Sequence, residues 1–177
     1  MLKFARIDLL KQSLVQDSSY YRLISLIRIS DMEQSKIEFT PIGVVRTNLT
    51  NSEVKASWPN GIEAEIEVFT AYADGLDCID AQTHLMILFY LNEITGEERK
   101  ILKVRPRRLV RCGLRPEEIP LRGVFSIDSP VRPNPIGLTI VRFMGRVGNV
   151  LKVSGLDAYN GTPVLDIKPF RADRCNT

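Results

Sequence analysis

Histidine is nearly missing from this chain, with His84 alone among 177 residues, and cysteine is scarce: Cys78, Cys112 and Cys175 stand far apart with no CxxC pair. Neither a zinc centre nor a disulfide framework is expected from such spacing, and a reducing cytoplasm is the compartment that fits. No metal is expected. Glycine-rich phosphate cradles are lacking too, since no strand-like run leads into GxGxxG and GxxxxGK[ST] does not occur. Neither a Rossmann dinucleotide site nor a P-loop is therefore indicated. No apolar run approaches the roughly 20 residues that cross a bilayer, so no membrane partner is expected. The N-terminus has no uninterrupted apolar core and small-residue cleavage site of a signal peptide. An excess of one charge sign is also absent, because 24 Lys and Arg face 21 Asp and Glu for a net charge of +3. That balance permits a nucleic-acid partner without requiring one.

What is present is mostly β pattern. Ile42, Val44 and Val45 open it. Ile62, Ala64, Ile66 and Val68 then alternate with Glu63, Glu65 and Glu67, the period of a strand with one wet face. Leu85 to Leu91 is continuously apolar, as expected of a strand buried on both faces. Further strands are expected over Ile101 to Val104, Leu121 to Phe125, Ile136 to Val147 and Val150 to Val153, with Gly148-Asn149 as a hairpin turn between the last two. Only Tyr72 to Ala81 and Pro116 to Ile119 read as helical in this part. Many strands with few crossover helices predict a mainly β fold, a single antiparallel or mixed barrel over residues 37–177. Residues 1–36 read as a separate helical or poorly ordered extension, with Leu2, Ile7, Leu10 and Leu14 at roughly helical spacing. Met32 is a possible natural start for the functional domain. A lipid-surface helix is the alternative for the extension, weakened by Asp8, Asp17 and Asp31.

Function is expected in the loops. Phe125 to Leu138, FSIDSPVRPNPIGL, holds Ser129, Arg132 and Asn134 out of helix, each by a following proline. A loop so stiffened either presents Arg132 and Asn134 to a ligand at low entropic cost or simply connects two strands. Leu156 to Phe170, LDAYNGTPVLDIKPF, turns at Asn160-Gly161 and carries Asp157, Tyr159, Asp166 and Lys168. Asp166 and Lys168 share a strand face, as an ion pair or as ligand contacts. Asn92 and Glu93 either cap the apolar strand or offer polar groups to the same cleft. From Arg99 to Arg115 the chain holds Lys100, Lys103, Arg105, Arg107, Arg108 and Arg111 with no acidic residue. Such a stripe attracts a phosphate backbone, or else it is a solvated face balancing the glutamates. His84 is a hydrogen-bonded structural histidine or a proton carrier at a strand end.

In order along residues 38–171, Phe39-Thr-Pro-Ile-Gly-Val-Val-Arg-Thr47, Tyr72-Ala-Asp-Gly-Leu76, Thr83-His-Leu85 through Phe89, Leu121-Arg-Gly-Val-Phe125, Ser129-Pro-Val-Arg-Pro-Asn-Pro-Ile-Gly-Leu138 and Gly161-Thr-Pro-Val-Leu-Asp-Ile-Lys-Pro-Phe170 resemble the TrmO (TsaA-like) family. The resemblance implies an S-adenosylmethionine-dependent methyltransferase on a β-barrel, acting as a homodimer with the cofactor in a cleft near the subunit interface. Its implied substrate is tRNA, engaged at the anticodon arm, with methylation of the exocyclic nitrogen of threonylcarbamoyl-adenosine at position 37. The family's cofactor contacts fall here on Asn92, Glu93, Asp128, Leu138, Asp157, Ala158, Tyr159 and Asn160, while no catalytic residue is singled out. Two departures stand out: Asp128 occupies the place of an arginine in the family's FATRSP segment, and Asn92-Glu93 stands where relatives have His-Gln or His-Arg. Charge reversal at Asp128 opposes pairing with the methionine carboxylate. It leaves open a second reading, a catalytically altered barrel that binds RNA or an adenosine-containing ligand.

Overall fold

The computed structural model describes residues 37–106, 109–110, 113 and 115–170. The chain divides into compact units of 1–39 and 40–177, and of the first only residues 37–39 are described. The helical extension and the Met32 start therefore lie outside the described residues, as do Cys112, Cys175, Arg107, Arg108 and Arg111.

Six strands close a barrel in the order β1 (Gly43–Arg46), β2 (Ile62–Val68), β7 (Val150–Leu156), β6 (Ile136–Val147), β3 (His84–Tyr90) and β8 (Pro163–Pro169), which returns to β1. Every pairing is antiparallel. The lumen is filled by the inward residues of each strand, among them Val45, Ile66, Leu85, Ile87, Leu151 and Val164, all essentially free of solvent. The glutamates of β2 point outward as their alternation requires. The β6–β7 hairpin turns at Gly148-Asn149, where Gly148 takes φ +60°.

Leu85 to Leu91 departs from expectation. Its residues alternate between buried and half-buried, because a barrel wall has only one lumen face. The outer residues Met86 and Leu88 are apolar because they pair across the wall with Ile140 and Leu138 of β6, which are 43% and 56% exposed. The expected strands near residues 101–104 and 121–125 shrink to β4 (Lys103–Val104) and β5 (Arg122–Gly123), a separate two-stranded ribbon. Tyr72 to Ala81 becomes two 3₁₀ turns, Thr70–Leu76 and Ile79–Ala81, and another covers Pro116–Glu118.

One helix was not anticipated, α1 (Asn51–Ser57). Its signal is Thr50-x-x-Glu53, a reciprocal capping box in which the Thr50 hydroxyl accepts from the Glu53 N–H and the Glu53 carboxylate accepts from the Thr50 N–H at 2.8 Å. Val54 anchors the helix in the barrel core. Hydrogen bonds from the Thr50 hydroxyl and backbone hold the Glu53 carboxyl below its ordinary range. Glu53 thus stabilises α1 above the titration of an unfolded glutamate, near pH ~4.3, and this contribution disappears as pH falls through the lowered folded value. Carbon secondary shifts of residues 51–57 are expected to move toward coil on acidification, and Glu53→Gln is expected to abolish that pH dependence. Among the described residues no helix is long and apolar enough to cross a membrane.

Candidate functional site at one barrel end

Antiparallel closure sends β1, β3 and β7 out of the barrel at one end and brings β2, β6 and β8 in at the same end. Seven of the eight expected contact residues gather there: Asn92 and Glu93 just past β3, Leu138 near the start of β6, and Asp157, Ala158, Tyr159 and Asn160 between β7 and β8. Asp128 is set by the proline loop rather than by a strand end, eight residues before β6.

Four of these side chains, Glu93, Asp157, Tyr159 and Asn160, meet a neighbour to which the sequence reading gives no site role. The Thr139 hydroxyl of β6 donates to Asp157 Oδ1. Asn51 Nδ2 at the head of α1 donates to Glu93 Oε1 at 2.8 Å, joining the helix to the chain leaving β3. The Thr47 N–H donates to Asn160 Oδ1 at 3.2 Å, and the Gly161 N–H donates to the Val45 carbonyl at 2.8 Å, so the late turn is stitched to β1. Lys55 of α1 lies over the Tyr159 ring at 5.4 Å. Ala158 is buried in the core, whereas Asp157 and Asn160 are exposed. Two of the missed partners share one signal: Thr50-x-x-Glu53 announces α1, and α1 supplies both Asn51 and Lys55.

The turn's exit from β7 is set by two glycines. Gly155, at φ +94°, is the extra residue of a β-bulge between the Ile62–Leu156 and Glu63–Ser154 pairs. Gly61 faces it at φ +69°, and a Cβ there would lie 2.5 Å from the Gly155 carbonyl oxygen. Backbones this close leave no room for any side chain.

Arg132 turns back onto its own loop. Its Nε donates to the Ser129 carbonyl at 2.9 Å and its Nη2 to the carbonyls of Val124 and Ile127 at 3.1 and 3.0 Å, so the guanidinium ties the proline loop to itself. His84 opens β3 at the opposite end of the barrel, where Nδ1 meets the Thr83 hydroxyl at 3.1 Å. Seven residues of strand put it about 20 Å from the Asp157 end, which removes it as a proton carrier for that site. Asp166 and Lys168 form an ion pair at 2.5 Å on the outer face of β8.

Residues 91–135 leave and re-enter the barrel at this same end, pinched at the base where the Leu91 N–H donates to the Pro135 carbonyl at 2.8 Å. The basic run rides on this arm, but much of its charge is spent internally. Arg99 donates to the Tyr90 hydroxyl, Arg105 to the Ile119 carbonyl, Lys100 pairs with Glu97 at 2.6 Å, and Arg115 Nε binds Glu118 at 3.0 Å. Among the described residues, Lys103 and Arg122 of the β4–β5 ribbon form no ion pair.

A hollow of about 670 Å³ lies outside the wall of β1, β2 and β7, lined by Arg46, Thr47, Leu49, Glu63, Glu65 and Lys152 among others. None of the eight expected residues lines it. The barrel end is an open, polar surface whose side chains are oriented by their neighbours, with the carboxylates of Glu93 and Asp157 each accepting a hydrogen bond at one oxygen.

Residues 50–174 match the family model of the tRNA-methyltransferase O N-terminal domain, TrmO_N. A probable S-adenosyl-L-methionine-binding protein of Methanothermobacter thermautotrophicus is 40% identical over 147 residues, covering 82% of this chain and 96% of the relative. A tRNA (adenine(37)-N6)-methyltransferase of Rattus norvegicus is 43% identical over 91 residues, but these are 51% of this chain and only 19% of that protein. A crystal structure of TrmO superposes with a TM-score of 0.58 at 26% identity, covering 81% of this chain, which spans 61% of the TrmO chain. With the matching barrel and a family model over most of its length, the chain belongs to the TrmO_N family.

Proposed function

We propose that this protein is an S-adenosylmethionine-dependent methyltransferase that modifies the exocyclic nitrogen of threonylcarbamoyl-adenosine at position 37 of tRNA, working as a homodimer in the cytoplasm. One observation carries the reading: the late turn, Asn92-Glu93 and Leu138 converge at one barrel end, and the arm bearing the basic run is rooted at that same end. The names of the relatives, S-adenosyl-L-methionine binding in one group and adenine-37 methylation in another, point to the same donor and acceptor.

The residues at this end suit the cofactor. Glu93 and Asp157 offer oriented carboxylates to a ligand that carries an ammonium and a sulfonium, and Leu138 and the half-buried Tyr159 ring offer apolar surface to adenine. When bound, the cofactor supplies a methyl group already attached to a good leaving group. The chain's own contribution is alignment, holding the acceptor nitrogen in line with that methyl carbon. On accepting the methyl group the nitrogen would give up a proton, which must pass to a base. Asp157 and Tyr159 stand at the correct end for that task. The outer face of β3 and β6, with Met86, Leu88, Leu138 and Ile140, gives a homodimer an apolar surface adjoining the site.

Calorimetry with S-adenosylmethionine tests the cofactor. Saturable binding is expected, weakened about tenfold in Asp157→Ala, as loss of a charge-assisted contact implies. Labelled methyl transfer to tRNA, with one methylated nucleoside missing from a deletion strain's tRNA by mass spectrometry, tests the reaction. Asp128 in place of the family's arginine favours the second reading, a binding module, and cofactor binding without any methyl transfer would select it.

A further inference from the structure

The proposed tRNA reading leaves one residue of the arm unused. Phe125 is 83% exposed, the most exposed large apolar side chain among the described residues. Burying such a ring against water-excluding surface is favourable, so an aromatic left this open on a rigid element marks a contact surface. Rigidity is supplied locally. Phe125 sits in the 3₁₀ turn Val124–Ser126, inside the span whose carbonyls at Val124, Ile127 and Ser129 are gathered by Arg132. The Ser126 hydroxyl adds a bond to the Gly123 carbonyl at 2.8 Å, and the Val124 N–H donates to the Leu102 carbonyl at 3.0 Å, tying the turn to the ribbon.

The surroundings decide what the ring meets. Lys103 and Arg122, on the strands of that ribbon, carry positive charge that no acidic side chain among the described residues neutralises. Pairing of this arm with its own copy across a two-fold axis would set those charges against themselves. A polyanion with exposed ring faces satisfies both features at once. The geometry points to Phe125 as a stacking platform for an unpaired base of the anticodon loop, with Lys103 and Arg122 holding the adjoining phosphates.

The test uses the full-length protein and a synthetic anticodon stem-loop RNA. Phe125→Ala is expected to weaken RNA binding by roughly tenfold or more. Because no charge is removed, the slope of log affinity against log salt is expected to stay unchanged. Phe125→Trp is expected to restore affinity and to show fluorescence quenched by RNA. Calorimetry with S-adenosylmethionine and the sedimentation coefficient are expected to match wild type for both variants. Equal RNA affinity for Phe125→Ala and wild type overturns the proposal, as does an affinity loss accompanied by altered sedimentation or lost cofactor binding. If the wild-type protein itself binds no RNA, the tRNA reading fails first and the platform with it.

Discussion

Gly61→Ala is expected to destabilise the protein by about 3 kcal/mol, the sum of a left-handed backbone strain and an overpacking conflict that cannot relax. The new Cβ would lie 2.5 Å from the Gly155 carbonyl oxygen and 2.9 Å from the Gly155 Cα, atoms of the opposing strand rather than a flexible side-chain tip. Relief requires β2 and β7 to separate at the bulge. That bulge is the step from which Asp157 to Asn160 emerge, so the loss is not confined to stability. A fall in melting temperature on the order of 10 °C is expected, together with weakened binding of S-adenosylmethionine in the fraction still folded. Gly75→Ala is the matched control, because a Cβ there meets nothing within 4 Å. If the two variants melt together, the close approach does not constrain the barrel.

Arg132→Ala is expected to cost about 2 to 3 kcal/mol, since three backbone carbonyls lose a charged donor at once. Arg132→Lys is expected to recover only part of this. An ammonium is a point charge on a flexible stem and cannot reproduce a planar fork reaching Ser129, Val124 and Ile127 together. The prolines at 130, 133 and 135 keep the loop extended, so the damage is expected in the segment before them. Urea unfolding measures the global loss, and limited proteolysis between residues 124 and 132 measures the local one. Wild-type stability in the lysine variant would reduce Arg132 to an ordinary surface cation.

The loop thereby owes its shape to two devices of different visibility. Proline spacing can be read directly from Ser129-Pro130, Arg132-Pro133 and Asn134-Pro135 because proline acts on its own and the preceding residue alone. The role of Arg132 cannot, because an arginine among prolines looks the same whether its guanidinium turns outward to a ligand or back to carbonyls three to eight residues earlier. The basic run behaves similarly. Its charges are evident in order along the chain, but Arg99, Lys100, Arg105 and Arg115 meet partners within the protein, and only folding distinguishes these from Lys103.

Local rules carried the barrel itself. The Ile62 to Val68 alternation, the long Ile136 to Val147 strand and the Gly148-Asn149 turn are short-range patterns, and the structure reproduces all three. Where the reading erred, the cause was distance along the chain. Leu85 to Leu91 looks buried on both faces because its outer residues Met86 and Leu88 match apolar partners far along the chain, Ile140 and Leu138 of β6. The ends of the apolar segments near 101 and 121 look like strands, but only two residues of each find a register. Helix α1 is the exception, since its capping box was legible and unread.

By itself, then, the order of amino acids marked five of the six barrel strands, the stiff bends and the charges, since each depends on neighbours a few positions away, while β8 lay hidden in the turn-rich Leu156 to Phe170 segment. Only tertiary closure decided which ends of those strands face together. Antiparallel pairing of six strands brings Asn92, Leu138 and Asp157 to one rim and sends His84 to the other, because direction in a closed sheet alternates with spatial neighbours and not with sequence order.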